Sequence, residues 1–396
     1  MIRRALSALV LCLLLLFAGV YLGAHPDGLP GVLRDPLVGD QNTRVVREAM
    51  NEIDASYYRK VPESELSDTA VKGMVAGLND RFSNYFTPKE YASFQEQQRG
   101  AFAGVGITVQ QHKDGLLVMQ VFPRSPAKKA KVEVGDVIVA VDGASLKGRS
   151  NDDAVARIKG RVGTDVTLRL RSKGGAERDV TLKRAEIPVQ TVTSKDRTVN
   201  GRKVAVIKLA DFGEAAHARM APAVRKALKD RVAGIVLDLR GNPGGLVTEA
   251  QLVASEFLSG GKIVTTKGRS VPERTLSATG DPIAPKTPLV VLVDRNSASA
   301  AEIVAGALQD NGRAKLVGTR TFGKGVFQQV IELSNGGALD ITAGQYFTPK
   351  GRNLGGRGTA TGAGLSPDIQ APDNPKTKTV DETLDKGLQT VAAEAA

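Results

Sequence analysis

Cysteine is almost missing from this chain. Of its 396 residues only Cys12 carries a thiol, and it lies inside an apolar run near the N-terminus. Beyond that run there can be no disulfide, no catalytic thiolate and no thiolate metal site. Histidine is nearly as scarce: His25, His112 and His217 stand far apart, none in a spacing such as H-E-x-x-H, so no metal and no other cofactor is expected. Tryptophan is absent and aromatic residues make up 4%. The net charge of +12 therefore lacks the stacking side chains that accompany basic clusters in nucleic-acid readers, and nucleic acid is not expected as a partner.

What the chain does have is an apolar content of 41%, with 43 glycines and 18 prolines. That describes globular domains rich in turns, and the length suits two or three of them. Arg3 and Arg4 precede a nearly uncharged run from Ala5 to Ala24, which reads as an export signal or an uncleaved anchor. Its length matches the ~20 residues of a membrane-spanning helix, so residues 1–24 read either way. The expected location is outside the cytoplasm, in the periplasm or on the outer face of the cytoplasmic membrane, with attachment through residues 5–24 if the run is kept.

After a Gly/Pro-rich linker the pattern changes three times. Residues 41–100 show helical periodicity with acidic caps, as in Ser67-Asp68 ahead of Val71, Met74, Val75 and Leu78. Residues 101–185 become short alternating strands punctuated by glycine, such as Gly115-Leu116-Leu117-Val118 and Asp165-Val166-Thr167-Leu168-Arg169-Leu170. Residues 186–372 alternate strands with helices, interrupted by a Pro-rich loop from Pro272 to Pro288, which argues for an α/β layer with mostly buried strands. A tail of residues 373–396 carries a weak helical pattern.

Three segments carry chemistry. In Val290-Val291-Leu292-Val293-Asp294-Arg295-Asn296-Ser297-Ala298-Ser299-Ala300-Ala301-Glu302 a buried strand stops and a helix begins at once. A serine there faces the cleft at the carboxyl end of a sheet, beside free N–H groups and a positive dipole end. The plain reading is that Ser297 or Ser299 caps the helix. In Thr321-Phe322-Gly323-Lys324-Gly325-Val326-Phe327-Gln328 a lysine sits between glycines. Led away from water, its amine would lose basicity and become able to take a proton from a hydroxyl; left in water, it is a turn lysine. Gln328 would touch Lys324 in a helical turn, whereas in a straight strand the two Cα atoms would lie ~13 Å apart. In Asp238-Leu239-Arg240-Gly241-Asn242-Pro243-Gly244-Gly245 a strand runs into paired glycines whose N–H groups suit an oxyanion, or form a tight turn.

In the β module, Phe102-Ala103-Gly104-Val105-Gly106-Ile107 can form a concave anion site, with room for an added strand beside Ile107 to Gln110. A glycine-rich hairpin is the simpler alternative. The helix over Asp152 to Ile158 would form the other wall of the groove.

Rival serine arrangements fail on residues. Gly-Asn-Pro-Gly-Gly resembles the nucleophile loop of chymotrypsin-like proteases, but Pro243 occupies the serine position. The Ser-x-x-Lys patterns at Ser125 to Lys128 and Ser259 to Lys262 lack the companion motifs of penicillin-recognising enzymes. No histidine lies near a strand-end cluster.

Taken in order from Asn42 to Pro372, the strings resemble the C-terminal processing peptidases, also called tail-specific proteases, serine peptidases with a PDZ domain. The likeness rests on Arg81-Phe82-Ser83-Asn84-Tyr85-Phe86-Thr87-Pro88, the Gly-Asn-Pro-Gly-Gly strand end, Ser-Ala-Ser-Ala before Glu302, Phe-Gly-Lys-Gly followed by Gln328, and Gly364-Leu365-Ser366-Pro367-Asp368. Local departures are Ala301, where many relatives have serine, and Gly241, where Asp or Asn is frequent.

The resemblance implies an α/β fold, with a crotonase-like protease core, an inserted mostly-β PDZ domain and an N-terminal helical element. It implies Ser299 as nucleophile, Lys324 as general base, Gln328 orienting the lysine, and oxyanion donors at Ala300 and at one of the paired glycines Gly244 and Gly245, with Gly245 preferred. Gly104, Val105, Gly106 and Ile107 would hold a peptide terminus. The partners implied are polypeptides with free, apolar C-termini; self-association and an adaptor protein stay open. The contrasting reading is a non-proteolytic PDZ scaffold of the cell envelope.

Overall fold

The computed structural model describes residues 16, 17, 19, 21, 41–356, 358–374, 377 and 379–395. The run read as export signal or anchor lies outside the described residues except for Leu16, Phe17, Gly19 and Tyr21. Among the described residues no helix is long and apolar enough to cross a membrane.

The chain divides after Leu78. The first unit holds α1 (Gln41–Ser56) and α2 (Glu63–Ala76). Helix α2 starts at Pro62, with Glu63 and Glu65 in its first turn, so the cap expected at Ser67-Asp68 lies inside the helix. Proline has the fixed φ and missing donor that suit a helix start, and the two acids complement the N-terminal dipole.

In the second unit, β1 (Asn84–Phe86) is followed by α3 (Pro88–Arg99). Helix α3 is bounded by legible signals. Thr87 and Glu90 form a reciprocal capping box, Pro88 opens the helix and Gly100 closes it at φ 60°.

The β module comprises β2 (Ala101–Gly104), β3 (Ile107–His112), β4 (Gly115–Val121), α4 (Pro126–Lys129), β5 (Val137–Val141), β6 (Ala144–Ser145), α5 (Asn151–Ile158), β7 (Asp165–Arg171), β8 (Glu177–Lys183) and β9 (Ala185–Pro188). Its sheet runs β3-β4-β5-β7-β8, while β2 pairs with β9 as a separate ribbon. Entry and exit strands thus zip together, from Ala101 opposite Pro188 to Gly104 opposite Ala185. The module has its own apolar core, including Leu116, Val118, Ile138, Leu168 and Leu170.

The remaining elements are β10 (Val192–Val199), β11 (Arg202–Leu209), α6 (Ala216–Lys229), β12 (Gly234–Asp238), α7 (Val247–Ser255), β13 (Lys262–Gly268), β14 (Arg274–Ser277), β15 (Leu289–Val293), α8 (Ala300–Asp310), β16 (Lys315–Gly318), β17 (Val326–Glu332), β18 (Ala338–Phe347), β19 (Ile369–Gln370) and α9 (Glu382–Glu394). The central sheet is β10-β11-β12-β15-β16-β19, with parallel pairing from β11 to β19. A second, antiparallel sheet joins β1, β18, β13 and β14, with β17 beside β18. The Pro-rich segment therefore contains β14, paired with β13, where the sequence reads as loop.

Because side chains alternate along a strand, the central sheet is apolar on both faces. Ile235, Leu237, Val291 and Val293 pack toward the cluster shared with Val253 of α7 and Val304 of α8. Val236, Val290 and Leu292 face Leu388 and Val391 of α9. The C-terminal segment, expected as a tail with a weak helix, closes that second face. A clasp holds it there: Arg240 at the end of β12 makes paired hydrogen bonds to Asp238 and to Asp381, and Asp381 also accepts the Leu384 N–H as the cap of α9. Asp381→Ala removes the cap and one of the three carboxylates around a half-hidden guanidinium, Asp238 and Asp373 remaining, and is expected to lower unfolding free energy by about 1–2 kcal/mol in urea titrations.

Candidate active site

The strand ends named by the sequence meet in one place. Strands β12 and β15 are parallel neighbours, with Asp238 opposite Leu292, so the loops that follow them emerge side by side at the carboxyl edge of the sheet. The β15 loop turns into α8 through Ser299, whose backbone sits at φ 54° and ψ −116°. A non-glycine residue in that region stores about 1–3 kcal/mol of strain, which the surrounding hydrogen bonds must overcome. Such a strained strand-to-helix turn thrusts a side chain into the cleft.

The two serines separate clearly. Ser297 is fully buried; its hydroxyl donates to the Leu239 carbonyl at 2.8 Å and accepts the Asp294 N–H at 3.0 Å. It ties the β15 loop to the β12 loop and has no reach into the cleft. Ser299 is only half-buried.

Glu302 organises the rest. Its carboxylate is fully buried and gathers donors from three segments. Oε2 accepts the Ser299 N–H and the Lys324 N–H, each at 3.0 Å, while Oε1 accepts the Thr321 hydroxyl at 2.6 Å and the Gly323 N–H at 2.8 Å. The Tyr346 hydroxyl adds a longer bond of 3.4 Å. Burial lifts the Glu302 pKa above the ordinary range, while the hydrogen bonds from Thr321, Gly323, Lys324 and Ser299 pull it back. One carboxylate oxygen thus joins the backbones of Ser299 and Lys324.

The Lys324 amine donates to Gln328 Oε1 at 2.7 Å, and Gln328 Nε2 donates to Thr342 Oγ1 at 3.1 Å. The segment is strand rather than helix, yet the side chains meet. Lys324 lies before β17 begins, and the β17–β18 register shifts between Phe327 and Gln328, so the straight-strand separation does not apply. Desolvation lowers the Lys324 pKa, opposed by the charges of Asp340, Asp80 and Glu302.

The paired glycines approach closely. A Cβ on Gly244, at φ 103°, would lie 2.7 Å from Ser299 Cβ and 2.9 Å from Ala300 N; only glycine lets the loop lie against the serine. The Gly244 N–H is taken by Asn242 Oδ1 at 2.8 Å. Gly245 bridges to Phe212. Among the described residues, the N–H groups of Gly245 and Ala300 donate to no acceptor of the chain, and Ala300 is the first residue of α8, where unsatisfied N–H groups are intrinsic.

In the β module, a cavity of about 60 Å³ is lined by Gly104, Val105, Gly106 and Ile107 together with Val155 and Ile158 of α5. Among the described residues strand β3 pairs only with β4, which leaves its other edge open. Gly106 holds φ 82°, and a Cβ there would stand 2.2 Å from Ser125 Cβ. The sequence reading placed these four residues and this helix together, and the structure does the same.

The peptidase family S41 model matches residues 203–371, a PDZ domain model matches residues 93–171, and the model of the activating protease CtpB N-terminal domain matches residues 34–89. A probable CtpA-like serine protease of Staphylococcus aureus is 35% identical over 337 residues, covering 85% of this chain and 66% of that protein. One of Staphylococcus saprophyticus is 33% identical over 354 residues, covering 89% and 70%. The solved structure of the photosystem II D1 C-terminal processing protease aligns with TM-score 0.50 at 30% identity, over 90% of this chain and 98% of that one. The chain belongs to peptidase family S41.

Within the S41 frame, several residues escaped the sequence reading. Glu302 stood there only as part of a string, without a role, although a glutamate three residues after a serine is the capping-box spacing. Asn242, fully buried, bonds Leu209 O through its side chain and accepts the Ala298 N–H on its own carbonyl, binding the two loops together. Asp80, Asp340 and Thr342 had no signal at all. Strands β17 and β18 were missed too, although Asn335-Gly336 between them is a hairpin signal.

Glu302→Gln replaces one accepting oxygen by a donor facing N–H groups. Because small misplacement of reacting groups is worth roughly 100-fold, kcat for peptide cleavage is expected to fall by about that factor while KM changes little. Steady-state kinetics with a fluorogenic peptide would read the split.

Proposed function

We propose that this chain is a serine endopeptidase that cleaves exported polypeptides near their C-termini. Ser299 is the nucleophile, Lys324 the general base, Gln328 the group that orients the lysine, and the N–H groups of Ala300 and Gly245 the oxyanion donors. The observation that carries the reading is the shared Glu302 oxygen: it ties the backbone of the strained serine to that of a desolvated lysine.

In the first step the Ser299 oxygen attacks a peptide carbonyl while its proton passes to the neutral Lys324 amine. The tetrahedral intermediate collapses when the ammonium returns that proton to the departing amine, leaving an acyl-enzyme. Water, deprotonated by the same lysine, then releases the acyl group.

The PDZ module supplies the address. A free carboxylate would seat on the N–H groups around Val105 and Gly106, the peptide would add a strand to the open edge of β3, and its last apolar side chain would enter the small cavity beside Val155 and Ile158. The relatives named for C-terminal processing and for CtpA-like activity support this reading.

The test is a pair of peptides of one sequence ending in an apolar residue, one with a free carboxylate and one amidated. Cleavage of the free peptide at an internal bond is expected, with kcat/KM about 10-fold or more above the amide, since charge-assisted bonds to the carboxylate are lost. Equal rates would remove the terminus from recognition, and no cleavage of either, nor of a denatured protein, would remove the peptidase reading.

A further inference from the structure

The amine of Lys324 is shielded from an unexpected direction. Its Nζ lies 5.0 Å from the centroid of the Phe82 ring. Phe82 precedes β1 and the entire β module, and lies far in sequence from the loop that carries the lysine. We propose that Phe82 is a positioning residue for the proposed general base: its ring caps the Lys324 amine and keeps water from it, and the Asp80–Ser83 turn holds the ring in place. The inference rests on Lys324 being the base and concerns how that base is kept uncharged.

The turn is fixed at both ends. Asp80 Oδ1 accepts the Phe82 N–H at 2.9 Å and Asp80 Oδ2 accepts the Ser83 hydroxyl at 2.6 Å. Ser83 Oγ in turn accepts the Thr342 N–H at 3.0 Å, and Thr342 Oγ1 accepts from Gln328, which holds the amine. The same four-residue turn therefore reaches Lys324 by two routes, through the ring and through a chain of hydrogen bonds. Arg81 braces the ring from outside: its guanidinium lies 5.2 Å from the Phe82 centroid and 5.8 Å from that of Phe322, and it donates to Thr361 Oγ1 at 2.8 Å.

The ring acts on the amine in two opposed ways. Excluding water disfavours the ammonium; the π face favours it by about 0.5–2 kcal/mol. The charged groups facing the amine are Asp340 from β18, Asp80 from the turn and Glu302 from α8, all of which favour the ammonium, yet desolvation is the larger influence and the Lys324 pKa is lowered. Loss of water thus outweighs the attraction of these three carboxylates. The ring's two contributions can be separated by substitution. Phe82→Ala admits water and should raise the Lys324 pKa, whereas Phe82→Leu keeps the apolar bulk and removes only the π face, and should leave the pKa unchanged or lower it. Phe82→Tyr should behave as the unaltered protein.

The experiment is competitive labelling of the full chain with acetic anhydride across pH, followed by mass spectrometry of the peptide containing Lys324, because only the neutral amine reacts. It reads the amine without requiring turnover. The expected result is a midpoint below that of an ordinary lysine in the unaltered protein, raised by about one unit in Phe82→Ala and not raised in Phe82→Leu or Phe82→Tyr. Where cleavage is measured, the acidic limb of kcat/KM should move with the same sign. A Phe82→Ala midpoint equal to that of the unaltered protein, or a Phe82→Leu midpoint raised as much as that of Phe82→Ala, overturns the cap. Should Phe82→Ala fail to fold, the Leu variant still decides, since the cap forbids an upward shift in it. Full cleavage by Lys324→Ala would overturn the base assignment instead, whatever the labelling shows.

Discussion

Ser299→Ala and Lys324→Ala are each expected to reduce kcat by at least about 10⁴-fold, and the double variant by no more than either alone, because residues that act as one unit are lost together. The alanine at 299 leaves the strained turn without an attacking oxygen. The alanine at 324 leaves the hydroxyl without a proton acceptor: Glu302 is buried and occupied by donors, and Gln328 is neutral. The pH dependence follows from the direction of the lysine shift. Burial lowers the pKa of Lys324, and the proposed mechanism needs the neutral amine, so kcat/KM should be low in acid and rise as pH climbs through that lowered pKa. A single-turnover assay across pH reads both effects. Full activity in Ser299→Ala, or a flat profile from mildly acidic to alkaline pH, would be incompatible with the assignment.

The second large effect concerns stability. Glu256, at the end of α7, is 6% exposed, and among the described residues neither of its carboxylate oxygens has a hydrogen-bond partner. Burial pushes its pKa up to about 8 from a reference of 4.5, with Arg225 pulling weakly downward. Between those two values the unfolded chain has released this proton while the folded chain still holds it. Stability must therefore fall as pH rises from about 4.5 to about 8 and level off above, by at most about 5 kcal/mol at 1.36 kcal/mol per unit. Glu256→Gln removes the titration. Urea titrations should find the variant more stable than the parent by several kcal/mol at pH 9, with the gap closing toward pH 5. A gap that is constant with pH would show that the carboxyl is ionised in the fold.

Legibility followed range in sequence. The hydrophobic strands ending in loops and the glycine-rich turn before β3 are local patterns, and each marked its place; the capping box at Thr87 and Glu90 is as local but was not read. Helix α2 was misjudged at its start because Pro62 at the cap outweighed the Ser67-Asp68 signal. The hairpin of β17 and β18 passed unnoticed because exposed Gln329, Val330 and Ile331 break the alternation expected of a half-buried strand. The C-terminal helix looked weak alone, since its apolar residues are few; its partners Val290 and Leu292 lie about a hundred residues earlier.

The order of the strings along the chain was sufficient to determine the family-level architecture, the β module inside an α/β core, and the segments that carry the candidate serine and lysine. Side-chain chemistry and glycine placement are properties of short segments, and these are written into the residues themselves. Tertiary structure alone decided that Ser297 is a buried tie while Ser299 stays half-buried at a strained turn, that Glu302 joins serine and lysine, that Gln328 reaches the amine from a strand, and that a phenylalanine from before the β module lies over it. Basicity and strain depend on what surrounds a group after the chain has closed on itself, and for Lys324 those surroundings come from residues 80–83, 302, 328 and 340–342.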